Sequence, residues 1–484
     1  MSSGKSLELS DRKSETFEVE DAVVDAPVAH HYSLEEKRLL RKLDWILIPW
    51  VGFLYFLAVE DRVNVGFALT MNHEVGHDLN SILHMTGPQG NIGVGLFYAA
   101  YIIFELPSNL IMTRVRPSLW LARIMITWGI VTSFFTLVKA KWSFYLLRFL
   151  LGALEAGFWP GLALYMTLWF RKTEQASRIG WYFTASPMSG AVGGLISAGI
   201  QLMDGDGNLY GFQWLFLFSG VITFIFGVAT IWYLPDTPDR PHRRFTAEEL
   251  ELAKSRLADE KETIHWSWSD LFAQVKDYKV WLFTIMYLTP VMAVASLAFF
   301  VPKIVQQMGY SSLNVSLLSV PVFVFGTIAV VLISRSSDYF KERGWHVMGC
   351  AITSFIGFVI LSFAPSVGAR YFGLLVAAAG TYGTVPPVIA WITNNKDGDV
   401  AVASAVAIVS SVANFGALVT TFALYSAWPA DAPKYIGSNM INGGAMLVTA
   451  IAAAWCKYTY TQKNRIIRET GRDPETGRKY AYLV

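Results

Sequence analysis

Charge is scarce in this chain. Asp, Glu, Lys and Arg make up 16% of its 484 residues, where soluble domains carry about a quarter. Apolar residues make up 53%. They are gathered in blocks of roughly twenty, the length that crosses a bilayer as a helix. Blocks rather than one-sided stripes exclude a soluble helical bundle. Cysteine is almost missing: Cys350 and Cys456 each sit in an apolar block with no metal-ligand spacing nearby. A disulfide framework and thiol chemistry are thereby excluded. The formal net charge of +2 gives no ground for a nucleic-acid partner. A channel filter needs a repeated carbonyl or charge-ring motif, and an enzyme needs a nucleophile or metal constellation. Neither pattern occurs, which predicts no enzyme and no cofactor. The first 32 residues are polar, acidic and Ser-rich without an apolar core, which predicts a disordered cytosolic tail rather than a cleaved signal peptide.

What remains is an all-α membrane protein. Hydropathy predicts twelve transmembrane helices near 45–68, 91–112, 119–138, 142–169, 177–202, 212–234, 279–304, 312–334, 346–364, 369–392, 401–427 and 438–460. Arginine and lysine alternate between connections. Arg114 and Arg116, then Arg171, Lys172 and Arg178, then Arg240, Arg243 and Arg244, and finally Arg335, Lys341 and Arg343 mark one side. The opposite loops are nearly bare, and 71–90 and 203–211 hold neither residue type. Both tails are expected in the cytosol by the positive-inside rule. His73, His77 and His84 in that first outer loop are too loosely spaced for a metal site and read as solvated.

Composition also divides the chain. A tail over 1–44 contains Ser33-Leu34-Glu35-Glu36, a capping-box spacing that predicts a short amphipathic helix. A first six-helix bundle is expected over 45–234 and a second, pseudo-symmetric one over 279–460. A cytosolic linker over 235–278 separates them, and a cytosolic C-terminal tail covers 461–484. Within the linker, Thr246-Ala247-Glu248-Glu249, with Phe245 and Leu250 at staple positions, predicts a helix of about four turns. Trp266 and Trp268 read as interfacial anchors. Short basic connections at 108–117 and 334–344 fall at equivalent places in the two halves, as duplicated transporter halves would have them.

The few charges inside the apolar blocks are the candidate site. Arg148 and Glu155 lie seven residues apart in the fourth span, nearly on one helical face and about 10 Å apart along the axis. Charge at that depth costs about 2.5–3.5 kcal/mol on the insertion scale and usually faces a bundle interior or aqueous cavity. One reading gives Arg148 an anion and Glu155 a proton; the competing one is a buried ion pair that fixes helix packing. Asp61, Arg62 and Asn64 close the first span, and Asp61 and Arg148 fall at comparable depth, so these groups are expected to converge. An interfacial pair that snorkels to water is the alternative for Asp61 and Arg62. Glu105, just before Pro107 in the second span, is a third intramembrane acid with a pore role or a helix-contact role. The second half carries neutral polar groups instead, among which Tyr382 and Asn414 are candidate substrate hydrogen-bonders. Proton coupling is thus expected from Asp61, Glu155 and Glu105. Substrate binding is expected from Arg62, Arg148, Asn64, Tyr382 and Asn414, with the cations and acids sharing one watery chamber between the halves.

Several motifs carry a resemblance. They are Asp61-Arg62-Val63-Asn64-Val65-Gly66, Glu105-Leu106-Pro107-Ser108-Asn109, Arg148 with Glu155-Ala156-Gly157, Trp169-Phe170 with Glu174 and Arg178, and Trp391-Ile392-Thr393-Asn394-Asn395. Over about 33–465 the chain resembles the major facilitator superfamily. Within it, the chain is similar to the anion:cation symporter family in its fungal allantoate, nicotinate and pantothenate permease branch. The resemblance implies proton coupling at Asp61 and Glu155 and anion handling at Arg62 and Arg148. It departs at Arg114-Val115-Arg116, a poor match to the superfamily's acidic-basic loop motif. A monomeric plasma-membrane symporter taking up a small carboxylate with protons is the expectation. An exporter of an acidic metabolite, or a non-transporting nutrient receptor on the same fold, is the alternative.

Overall fold

The computed structural model describes residues 32–112, 114–258, 273–396, 399–476, 478 and 481–484. Its long elements are all helices, and among the described residues eleven helical stretches are long and apolar enough to span a membrane. Helix α1 (Leu34–Ala68) is the first span, α2 (Gly87–Met112) the second and α3 (Pro117–Phe134) the third. The fourth is broken into α4 (Lys141–Glu155) and α5 (Phe158–Thr167). The stretch expected as one span near 177–202 is likewise divided, into α6 (Lys172–Phe183) and α7 (Ala185–Ile200). Pro187, in the first turn of α7, has no N–H to return to Phe183, so the hydrogen-bond ladder lapses there. That division accounts for eleven long stretches where the hydropathy reading has twelve spans. Helix α8 (Gly211–Tyr233) completes the first six.

A shorter helix, α9 (Ala247–Ala258), follows, and the second six spans are α10 (Tyr278–Gln306), α11 (Ser312–Tyr339), α12 (Gly344–Phe363), α13 (Val367–Asn395), α14 (Asp399–Ala423) and α15 (Ile436–Thr470). Both capping boxes form. Glu36 N–H donates to Ser33 Oγ at 3.1 Å and Ser33 N–H to Glu36 Oε2 at 2.8 Å. Glu249 and Thr246 make the same exchange at 3.2 and 2.9 Å. The first of these helices is not separate, however. No Gly or Pro falls between Lys42 and Trp45, so it runs unbroken into the first span. Trp266 and Trp268 lie outside the described residues.

Helix pairing displays the pseudo-two-fold. Within the first half, spans 1 and 5, 2 and 4, and 3 and 6 pack together; within the second, spans 7 and 11, 8 and 10, and 9 and 12 do. Between halves, span 5 meets span 8, span 11 meets span 2, and span 1 meets span 7. Adding six to each number, modulo twelve, maps this set onto itself. A symmetric interface of that kind puts α1, α2, α7, α10, α11 and α14 around the central axis, where a transport site is built in duplicated folds.

The two ends of the interface differ. At the end away from the tails, Glu74 accepts from Ser312 N–H at 2.6 Å and from its hydroxyl, and Asn91 Nδ2 donates to Leu424 O at 3.3 Å. Both bonds tie one half to the other. At the tail end, by contrast, each half is bound mostly to itself. Arg178 grips Asp44 with two hydrogen bonds of 2.5 and 2.9 Å, Lys42 reaches Glu249 of α9 at 2.6 Å, and Arg256 meets Glu174 at 2.5 Å. The guanidinium of Arg335, 5.4 Å above the Trp181 ring, is a contact there between halves.

The last residues, expected from sequence as a cytosolic C-terminal tail, form a strap across the tail end of the second half. Trp391 Nε1 donates to Leu483 O at 2.9 Å, Leu483 N–H to Asn395 Oδ1 at 2.8 Å, and Arg343 N–H to Val484 O at 2.9 Å. Asp473 anchors the strap, accepting from Tyr482 Oη at 2.6 Å and Lys463 Nζ at 3.0 Å. Burial works to raise its carboxyl, but the Tyr482 hydroxyl, the Glu475 N–H and the Lys463 ammonium outweigh it and hold it below the usual range. A depressed carboxylate contributes stability that is full above its unfolded value, about 3.9, and is lost as pH falls through the folded value. Asp473→Ala is expected to cost about 2 kcal/mol, read as a lower melting temperature in detergent. The difference between variant and wild type should shrink on acidification below about pH 4.

Candidate functional site

The fourth span breaks at the acid itself. Ala156 leaves helical geometry (ψ 133°) and Gly157 adopts φ +83°, a left-handed conformation that glycine tolerates best. Pro160 lies in the first turn of α5, where its missing N–H costs nothing. Glu155 therefore ends α4, with its carboxylate turned inward and fully buried. On the neighbouring helix, α2 approaches so closely that a Cβ on Gly152 would stand 2.1 Å from the Phe97 carbonyl oxygen. That approach sets Phe97 against the charged face of α4.

Two guanidiniums flank the Phe97 ring. Arg62 lies 5.4 Å and Arg148 5.0 Å from its centroid, both within cation–π range. Arg62 Nε donates to Glu155 Oε1 at 2.6 Å, and its Nη2 lies 2.5 Å from the same oxygen. Glu155 Oε2 has no hydrogen-bond partner among the described residues. Arg148 is fully buried and gives one hydrogen bond, from Nε to Gly93 O at 3.2 Å, while both terminal nitrogens lack partners among the described residues. Buried donors without partners are uncommon in folded proteins, so the two free terminal guanidinium nitrogens set Arg148 apart from the other buried cations.

A cavity of about 120 Å³ lies between the halves. Arg62, Glu105 and Asn414 line it, and Asn414 Nδ2 donates to Glu105 Oε2 across the interface at 3.2 Å. Tyr55, Tyr98, Tyr101 and Trp159 form an aromatic wall on the first-half side. Arg62 sits 4.9 Å from the Tyr101 ring. Side-chain exposure separates the ion pair into an outer and an inner partner: Arg62 is 17% exposed and Glu155 0%.

The expected single chamber is therefore three nested layers. Arg62, Glu105 and Asn414 face the cavity. Glu155 and Arg148 do not line it, and the ion pair joins Glu155 to the cavity-lining Arg62. Asp61 and Asn64 face the interior of the first bundle instead: Asp61 Oδ2 accepts from Trp128 Nε1 at 2.7 Å and Thr223 Oγ1 at 3.1 Å. The physical reason is helical geometry. Consecutive residues are rotated by 100°, which here leaves Asp61 with Glu60 on the side packed against α8 and turns Arg62 to the cavity. Tyr382 is buried and packs over Gly326, where a Cβ would meet its ring at 2.7 Å, rather than lining the cavity.

One buried acid was not anticipated. Glu60 Oε1 accepts from Asn64 Nδ2 at 2.7 Å and Ser219 Oγ at 3.2 Å. Its spacing of four from Asn64 was the available signal, because such pairs share a helix face. His73 and His77 bond Asp78 and Asp204 at 2.9 and 2.5 Å, apart from the cavity.

With this geometry in hand, comparison with known proteins is direct. The model of the Major Facilitator Superfamily matches residues 51–421. The chain belongs to that family, and it is a multi-pass membrane transporter. It is 34% identical to Vitamin H transporter 1 of Schizosaccharomyces pombe, over 86% of this chain and 79% of that one. A putative tartrate transporter of Agrobacterium vitis is also 34% identical, over 86% and 90%. The putative metabolite transport protein NicT of Pseudomonas putida is 33% identical, over 79% and 86%. Among solved structures, the xylose transporter XylE of E. coli in a partially occluded inward open conformation aligns with TM-score 0.65 at 14% identity, covering 85% of this chain and 96% of that one. A bacterial homolog of the human lysosomal transporter Spinster aligns at 0.63, again with 14% identity, over 86% and 97%. These two establish the fold alone.

The close passage of α2 over α4 is testable. Gly152→Ala places a methyl group against backbone that cannot yield, and overpacking of this kind costs about 1–3 kcal/mol. The expected outcome is a lower melting temperature in detergent, because Phe97 is pushed from its place against Arg62 and Arg148.

Proposed function

We propose that this protein is a proton-coupled symporter of a small organic anion, working by alternating access. The observation that carries the reading is the Arg62–Glu155 ion pair, whose cation lines the central cavity and whose acid is sealed behind it. Arg62 stays charged at any physiological pH. Its strong partner is either the internal carboxylate or the carboxylate of a substrate. Protonating Glu155 releases Arg62 toward the cavity; an anion arriving there completes the exchange. Arg148 supplies a second positive charge one ring away, and Glu105, bonded to Asn414 of the other half, links occupancy of the cavity to the fit between halves. Asp61, buried in the first bundle beside Glu60, is the second acid available to the coupling ion. Its access route differs from that of Glu155.

The named relatives support an organic acid as cargo, since both vitamin H and tartrate carry carboxylates. The tail end, rich in arginine and lysine, is assigned to the cytosol. Bonds between the halves at the opposite end then correspond to closure toward the outside, with the plasma membrane as the site of uptake. The protein works as a monomer, each chain holding a complete cavity.

Glu155→Gln separates coupling from binding. In proteoliposomes the wild type should accumulate a labelled carboxylate when the outside is acidic, with uptake falling as external pH rises. The variant should keep counterflow, within about a factor of ten of wild type, and lose accumulation and pH dependence. Accumulation that persists in Glu155→Gln removes this residue from the coupling role.

A further inference from the structure

The connection that leaves span 6 is fastened to the first bundle at both ends. Pro235 O accepts from Tyr165 Oη at 2.6 Å, and Asp236 O from Trp169 Nε1 at 3.3 Å. Asp236 Oδ1 accepts from Ser118 N–H at 3.2 Å, at the start of α3. Further along, the Phe245 ring stacks on Trp169 with centroids 5.3 Å apart. Between these anchors the chain and α9 enclose a pocket at the tail end of the molecule, apart from the transport cavity.

Its titratable lining residues are Asp239, Arg240, His242, Arg243, Glu251 and Lys254. Lys254 faces both acids, 4.0 Å from Asp239 and 3.5 Å from Glu251. Arg240 and Arg243 are exposed and form no ion pair among the described residues. Burial, with the nearby charges of Arg244 and Arg243, holds the His242 imidazole below its usual range, so it is neutral at neutral pH. Arg244 lies 3.8 Å from the centroid of Tyr233, the last residue of α8, and that ring stacks on Trp50 at 3.9 Å. Its Nε is buried with no hydrogen-bond partner among the described residues.

Depth puts these cations at a bilayer surface. Trp232, 61% exposed, directly precedes Tyr233, and Trp45, 80% exposed, stands on α1 about 7 Å nearer the tail end than Trp50. Exposed tryptophans at the ends of spans mark the level of the headgroups. Arg244, over Tyr233, is at that level. We infer that this pocket binds the phosphomonoester headgroup of an anionic membrane lipid, with Arg240, Arg243 and Arg244 as its phosphate ligands. Guanidinium forks match phosphate oxygens in pairs. A phosphomonoester carries about 1.5–2 negative charges at neutral pH, against about one for a diester, so uncompensated arginines favour it. A lipid, unlike free phosphate, also lays its chains along the outward-facing Ile231 and Trp232.

Calorimetric titration of the purified full-length chain, in an uncharged detergent at neutral pH, tests the assignment. Dioctanoyl phosphatidate should bind at least about tenfold more tightly than dioctanoyl phosphatidylglycerol, whose phosphate is a diester, and than inorganic phosphate. Arg240→Gln combined with Arg243→Gln should weaken phosphatidate binding about tenfold or more. Arg114→Gln combined with Arg116→Gln removes equal charge from another connection at the tail end, and should leave the affinity within about twofold. Equal binding of phosphatidate and phosphatidylglycerol overturns the inference. So does an equal loss in the two double variants, which reduces the arginines to diffuse attraction. Inorganic phosphate binding as tightly as phosphatidate overturns the assignment to a lipid. The wild-type comparison needs no variant, and all four substituted side chains are exposed.

Discussion

A charged pair inside a membrane is held together by the absence of alternatives. Arg62 and Glu155 are removed from bulk water, and neither can be left alone without a large desolvation penalty. The rest of the first half is arranged around that requirement. The fourth span breaks directly after Glu155, the α2–α4 approach at Gly152 presses Phe97 between Arg62 and Arg148, and the pseudo-two-fold places all of this at the interface with the second half. The second half contributes neutral groups, with Asn414 reaching Glu105 across the gap. Charge is thus concentrated on one side of the cavity and apolar surface on the other.

The two ends of the molecule divide another task. Bonds such as Glu74 to Ser312 and Asn91 to Leu424 join the halves at one end, whereas at the other α9 and the C-terminal strap each fasten onto a single half. Two rigid bodies with a breakable seam are what rocking alternation requires. The strap keeps the ends of α13 and α15 in register, since Asn395 and Asn464 both bond to it, while leaving the first half free to move.

Much of this was legible in the sequence. The apolar blocks, the basic connections and the two capping boxes set the helices and their boundaries, because a bilayer allows little else. Depth along a helix could be counted, so the nearness of Arg62, Arg148 and Glu155 was within reach. Rotation about the axis was harder to use. Asp61 and Arg62 are neighbours in sequence yet diverge by 100°, and which of them faces the cavity is decided by the helices packed on either side. Tyr382 fell outside the cavity for the same reason: its ring is claimed by Gly326. The strap was illegible because its partners, Trp391, Asn395 and Asn464, lie 18 or more residues away in sequence. Polar tail residues carry no periodicity that announces such docking.

The central claim is that a substrate carboxylate replaces Glu155 at Arg62 as Glu155 takes up a proton. Proton uptake on binding measures this exchange without any membrane gradient. A weakly buffered detergent solution of the purified protein, followed with a pH indicator during titration with a carboxylate it binds, should show about one proton taken up per anion bound at neutral pH. Saturating binding with no proton uptake would contradict the account.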